Sequence, residues 1–285
     1  IFDTVTGAFG TGKLLAGLPS NYINGFASDS DVMYIATDGG IGRWSFLTSD
    51  WLNPLTTTDG LPTNIIEDLE LVNNDLWVAT PSGLVKMDTI SNSVSTITAQ
   101  NGLLGTSTWG LTSTTGTVVS PNGTVSTSEM IHVSHDGAGN ERPGVSSVDA
   151  TTGLVSQTHR FDQLPSNTVT AVASDWWGLH IATDVGPMTH WNGLNSQFED
   201  GAASWQIPSW PVERMVSNGD ELLVIGNDII TVIEARTISH SPIKTLVIPN
   251  QVVSDAAITS DNVWVTTETS GLYGWVNSPQ WTEVE

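Results

Sequence analysis

The sequence predicts an all-β fold, a β-propeller of four-stranded blades, six in number, with seven as the alternative if one blade is incomplete or shared. Three observations carry this. An apolar-Pro turn recurs along the chain, an alternating apolar strand motif follows each turn, and helical periodicity is missing between them.

The turn appears as Leu18-Pro19, Leu61-Pro62, Leu103-Leu104, Leu164-Pro165, Ile207-Pro208 and Ile248-Pro249. One unit of roughly 42 residues therefore repeats, with an insertion in the third copy. Gly17-Leu-Pro-Ser-Asn21 and Gly60-Leu-Pro-Thr-Asn64 are near-identical versions. Proline presets φ, and the small polar residues bond nearby backbone groups, so these positions read as turn formers.

The second strand is the clearest signature: Met33-Tyr-Ile-Ala-Thr37, Leu76-Trp-Val-Ala-Thr80, Ile131-His-Val-Ser-His135, Leu179-His-Ile-Ala-Thr183, Leu222-Leu-Val-Ile-Gly226 and Val263-Trp-Val-Thr-Thr267. One column reads Tyr34, Trp77, His132, His180, Leu223, Trp264. It is expected to pack between adjacent blades, which makes His132 and His180 core residues rather than ligands or bases. Turns containing Gly or Asp follow, then a third strand such as Gly83-Leu-Val-Lys-Met87 and a more polar fourth. Four short strands per unit is the blade pattern. The chain reads as one domain over 1–285, with blades at about 17–59, 60–101, 102–163, 164–206, 207–248 and 249–285. Residues 1–16 read as outer strands of a closing or preceding blade.

These motifs resemble the two-component-regulator propeller repeat, found in periplasmic sensor domains of bacterial hybrid histidine kinases and in other exported propellers. The resemblance runs over nearly the whole chain, best at 17–90 and 164–192. It implies a fold and an exported setting; its motif residues are turn and packing positions and imply no chemistry.

With 8 Lys plus Arg against 30 Asp plus Glu, the net charge of −22 repels phosphate backbones and anionic lipids. Nucleic acid and membrane insertion are excluded as expectations, and no apolar run reaches the roughly 18 residues of a membrane span. The chain has no Cys, so disulfides, thiolate metal sites and cysteine nucleophiles are out. It begins at Ile1 without a signal-like segment and is read as processed or excised from something longer.

In a propeller, the turn before the innermost strand and the turn after the second open on one face. The mouth of the central channel is therefore the expected ligand site, with Asp38, Asp184 and Trp210 from the turns and Glu67, Asp68, Glu213, Arg214 and Asp255 from the innermost strands. The polar turns also fit ordinary turn chemistry repeated with the blade, and the two readings stand together. Trp176 and Trp177 are candidates for an interaction surface, against burial under a neighbouring loop. Asp136, Asn140 and Glu141 in a Gly-rich loop offer oxygens for Ca²⁺, although their spacing differs from that of an EF-hand; no other cofactor is expected.

The sequence has no Gly-x-Ser-x-Gly elbow, His-Glu-x-x-His helix or phosphate-cradling loop. The expected function is a non-enzymatic extracellular recognition or scaffold module that binds a protein, a glycan or its own copies, as part of a cell-surface or filament-forming protein. A polysaccharide lyase or hydrolase and a periplasmic sensor domain are the alternatives. The expected location is extracellular, cell-surface or periplasmic.

Overall fold

The computed structural model describes residues 2–3, 8–9, 17–119, 125–135, 144–160, 164–166, 168–185, 188–192, 197–200, 210–236, 240, 242–248, 251–258, 262–267, 271–276 and 282–283. Strands β1 (Phe2–Asp3) and β2 (Ala8–Phe9) pair as a separate two-stranded sheet. Six four-stranded sheets follow. The first holds β3 (Ile23–Ser28), β4 (Val32–Thr37), β5 (Gly40–Ser45) and β6 (Asp50–Leu55); the second β7 (Asp68–Val72), β8 (Asp75–Thr80), β9 (Gly83–Asp88) and β10 (Val94–Ile97). The third holds β11 (Thr108–Val119), β12 (Val125–His135), β13 (Gly144–Asp149) and β14 (Val155–Arg160); the fourth β15 (Val169–Ser174), β16 (Gly178–Thr183), β17 (Thr189–Asn192) and β18 (Gln197–Asp200). The fifth holds β19 (Arg214–Ser217), β20 (Glu221–Ile225), β21 (Ile229–Glu234) and β22 (Pro242–Val247); the sixth β23 (Val253–Ile258), β24 (Asn262–Thr267), β25 (Gly271–Val276) and β26 (Thr282–Glu283).

In every sheet the strands pair in chain order. These are the blades of a six-bladed β-propeller, the fold that the repeat predicts. The chain divides into two compact units, 15–172 and 173–285 with 1–14, and the division falls inside β15. Among the described residues, no helix is long and apolar enough to cross a membrane.

Local chemistry explains the repeated motifs. Thr56 and Thr98 each cap one turn of 3₁₀ helix, accepting from the amides of Thr58 and Gln100, while Asp59 and Asn101 return bonds to the cap amides. Each turn ends on a glycine with φ near 100°, Gly60 at 102° and Gly102 at 106°, a conformation that a side chain disfavours. The chain is thereby turned so that Leu61 and Leu103 drop into the core. The Ala-Thr ending of the second strand has its own role. Thr37 Oγ1 donates to Gly40 O at 2.7 Å and accepts from Gly39 N; Thr80 repeats this with Gly83 O and Ser82 N. Thr183 Oγ1 donates to Val185 O at 2.6 Å.

The core lies between sheets. Tyr34 packs with Leu69, Leu76 and Val78 of the second sheet, and Trp77 with Leu111, Ile131 and Val133 of the third. Leu223 packs with Val253, Ala256, Val263 and Val265 of the sixth. The predicted column is thus buried as expected at Tyr34, Trp77, His132, His180 and Leu223, while Trp264 is half-buried. Lys86 latches the second sheet to the third: Nζ sits 3.0 Å from Asp75 Oδ2, donates to Ala150 O at 2.6 Å and lies over the Trp77 ring. The insertion in the third copy lengthens β11 and β12, whose pairing continues out to Val119 opposite Val125.

Candidate functional site

Most of the polar residues assigned to the channel mouth have partners within the protein. Asp38 is exposed and accepts from Asn24 Nδ2 at 2.9 Å; the same amide group donates to Ile66 O, so Asn24 ties the first sheet to the second. Asp68 Oδ1 accepts its neighbour's amide, Leu69 N, at 2.8 Å, and Oδ2 accepts from Leu111 N of the third sheet, also at 2.8 Å. A Cβ placed on Gly25 of the first sheet would stand only 2.8 Å from Asp68 Oδ1. Asp255 reproduces the local bond with Ala256 N at 2.9 Å, and its Oδ1 lies 3.9 Å from Arg214 Nη1. Both of those side chains are about half exposed, so their ion pair is weak.

Glu67 is half-buried, and Glu213 and Asp184 are exposed. Trp210 packs its ring against the backbone of Gly226, where a Cβ would lie 2.6 Å from the ring. The structure brings Arg214 and Asp255 together. Asp136, Asn140 and Glu141 lie outside the described residues. The Trp176–Trp177 pair divides: Trp176 is 74% exposed, while Trp177 is half-buried and its indole N–H donates to Ala235 O at 3.1 Å.

A feature absent from the predicted site is an apolar surface at one end of the first three sheets. Tyr22 (72% exposed) and Ile65 occupy equivalent turns before β3 and β7, and Trp109 (52% exposed) is the second residue of β11. Along the innermost strands, one aligned column of the six copies reads Asn24, Glu67, Trp109, Thr170, Glu213 and Ser254, and it contained the signal, because a tryptophan stands where the other copies carry polar residues.

Among the described residues, the densest chemistry lies between the fourth and fifth sheets, within the 173–285 unit. Asp175 opens the turn from β15 to β16: its amide donates to Gly178 O, and its Oδ1 accepts from Trp177 N at 2.7 Å and Gly178 N at 3.0 Å. Two backbone amides therefore fix the carboxylate. Oδ2 accepts from His180 Nε2 of β16 at 2.7 Å and from His240 Nε2, between β21 and β22, at 2.6 Å. His190 of β17 stacks on His180, with centroids 4.7 Å apart and planes 23° apart, and lies 5.0 Å from the His240 ring. The Asp175, His180 and His240 side chains are fully buried, as is His190.

Burial favours the neutral form of His180 and pushes its pKa down, opposed by Asp175. Burial alone would raise Asp175, but the imidazole and amide hydrogen bonds outweigh it and hold the carboxyl far below its ordinary range. At neutral pH the site therefore sets a carboxylate against a neutral His180 ring. Sequence reasoning placed His180 in the core correctly but did not bring the other three residues to it. Alternation along β16 and β17 puts His180 opposite His190 in the strand register, a cross-strand signal that the repeat alignment does not show. His240, distant in sequence, gave no signal.

Among the described residues, the other buried histidines, His132 and His135, are packing residues. His132 lies between the hydroxyls of Thr114 and Ser147, each at 2.8 Å. His135 Nδ1 donates to Ser107 O at 3.2 Å, a partner that only accepts, so Nε2 accepts from the Ser146 hydroxyl at 2.8 Å.

No protein-family model and no curated protein matches the chain. Among solved structures, it is similar to the extracellular domain of a putative hybrid two-component system from B. thetaiotaomicron, at 14% identity and TM-score 0.68, covering 95% of this chain and 37% of that one. It is also similar to the Pan2 WD40 domain of Neurospora crassa, at 10% identity and TM-score 0.60, covering 92% and 76%. A third match is the complex of KlAtg21 with the coiled-coil of AgAtg16, at 11% identity and TM-score 0.59, covering 90% and 81%. The chain spans little more than a third of the two-component domain, and likeness at these identities establishes the propeller fold.

Proposed function

We propose that the chain is a non-enzymatic recognition module of an exported protein, and that it binds an extended, basic and apolar segment of a partner protein. The observation that carries this is the surface formed by Tyr22, Ile65 and Trp109. Three large apolar side chains stand exposed on successive sheets, at the ends where propeller turns vary. Asp38, whose amide donates to Tyr22 O at 3.3 Å, and Glu67, two residues after Ile65, lie beside them, and the net charge of −22 favours a cationic partner. The repeat resemblance and the extracellular two-component neighbour support an exported setting. The KlAtg21 complex is a precedent for a protein partner on this fold.

The test is selection of peptides from a displayed random library against the intact chain, followed by affinity measurement. Selected peptides are expected to carry Lys or Arg beside aromatic or aliphatic residues, and Trp109→Ser should weaken them by about 30-fold, the size of a hot-spot loss. Equal binding by wild type, Trp109→Ser and Tyr22→Ser would place recognition elsewhere. Enrichment on a glycan array with no enriched peptide would replace the proposal with a lectin function.

A further inference from the structure

We propose that Asp175, His180, His190 and His240 form a four-ligand site for a divalent transition metal of the Zn²⁺ class, which clamps the fourth sheet to the fifth. The four residues each offer one ligand atom, and these atoms all lie within 4.8 Å of one another. Three of the six histidines in the chain converge here. Zinc held at about 2.0–2.2 Å by nitrogen and oxygen in a tetrahedron sets neighbouring ligand atoms about 3.3 Å apart. The shortest approaches, 2.6 and 2.7 Å at Asp175 Oδ2, and the 4.8 Å limit bracket that edge, so small ring and carboxyl rotations close the shell.

The donor set selects the ion. Three imidazoles and one carboxylate suit zinc and its first-row neighbours, whereas Ca²⁺ and Mg²⁺ take six or more oxygens, and a chain without Cys has no thiolate for a softer site. The surrounding structure is arranged as a metal site's support is. Asp175 Oδ1 is held by two backbone amides, which leaves Oδ2 directed at the imidazoles as a single-oxygen ligand. His240 has φ of 45°, the left-handed region that few non-glycine residues occupy, and this is the conformation that carries its ring to Asp175.

In the metal-free state, Nε2 of His180 and of His240 each donates a hydrogen bond to Oδ2. In the metal-bound state, the lone pairs of those nitrogens go to the ion and the ring protons reside on Nδ1. With all four positions filled by protein, no water is activated. The ion is structural: it crosslinks the β15–β16 turn, β16 and β17 to the chain between β21 and β22.

The experiment uses the full chain without a polyhistidine tag, stripped with chelator and titrated with Zn²⁺ or Co²⁺. The proposal expects one ion per chain, the intense visible bands of tetrahedral cobalt and a rise in Tm of about 5–10 °C at zinc a hundredfold above Kd. His190→Gln removes one nitrogen ligand and leaves both hydrogen bonds to Asp175 in place. It should keep the wild-type circular dichroism while losing the tetrahedral cobalt spectrum and weakening zinc by about 100-fold. Wild-type protein that shows an octahedral cobalt spectrum, or no stoichiometric uptake and no gain in Tm, would overturn the proposal and leave a hydrogen-bonded cluster that needs no ion. The wild-type spectrum decides this even if His190→Gln fails to fold.

Discussion

Asp68 Oδ2 accepts the backbone amide of Leu111 across 2.8 Å, from the first strand of one sheet to the first strand of the next. Its other oxygen is engaged by Leu69 N, so the carboxylate bridges adjacent sheets beside the packed side chains of Leu69 and Leu111. A hydrogen bond to an ionised acceptor contributes about 1.5–3 kcal/mol, and Asp68→Ala also leaves the Leu111 amide without this acceptor. Urea unfolding of Asp68→Ala is expected to show a loss of about 2 kcal/mol at unchanged m-value. If Asp68 served ligand capture alone, the variant would unfold with the wild-type midpoint.

That one residue marks what the sequence could and could not reveal. Leu61, Trp77 and the Ala-Thr endings recur because every blade has the same packing and turn requirements, so the fold was legible from repetition. The column containing Asp68 reads Gly25, Asp68, Gly110, Ala171, Arg214 and Asp255 over the six copies and so does not repeat, yet variation alone does not separate a ligand site from a sheet-to-sheet bond. The Asp175 cluster was hidden for a different reason: His190 fills a third-strand position that carries Arg43 and Lys86 in the first two sheets, so no histidine repeats there, and His240 joins the cluster only through the approach of the fourth and fifth sheets.

Thr108 makes a second bridge of this kind. Its hydroxyl donates to Thr80 O at 2.9 Å and accepts from Thr80 N at 2.7 Å, fully buried at the end of β8. Thr108→Val keeps the shape and strips both of these bonds from Thr80, so it should cost about 2–3 kcal/mol, while Thr108→Ser should cost under about 1 kcal/mol. Equal losses for the two variants would show that the methyl group, not the hydroxyl, matters. Thermal and urea unfolding of both variants measure the difference.

Trp77 and Trp264 share a column but not an environment. Trp77 is fully buried against the third sheet, whereas Trp264 is half-buried. Trp77→Ala should cost about 3–5 kcal/mol through lost transfer energy and the cavity left behind, and Trp264→Ala clearly less. The comparison of unfolding midpoints checks the order, and a larger loss at Trp264 would contradict the deeper burial of Trp77.

His135 gives the protein a defined acid sensitivity. Burial is the largest cause of its depressed pKa, which falls from 6.5 to about 4 against the opposing hydrogen bonds that the ring makes to the Ser107 and Gly105 backbone. The ring is therefore neutral in the folded state at a pH where the unfolded chain already protonates it. The unfolded state binds more protons between these two values, so stability falls as pH drops from 6.5 toward 4 and is unaffected by this group above 6.5. A shift of this size is worth about 3 kcal/mol over that window. His135→Asn places its amide to donate to Ser107 O but does not titrate, so subtracting its stability-versus-pH curve from that of wild type isolates the effect from the other histidines. The difference should be flat above about pH 6.5 and slope downward below it; a difference that is flat throughout would mean that His135 is protonated alike in both states.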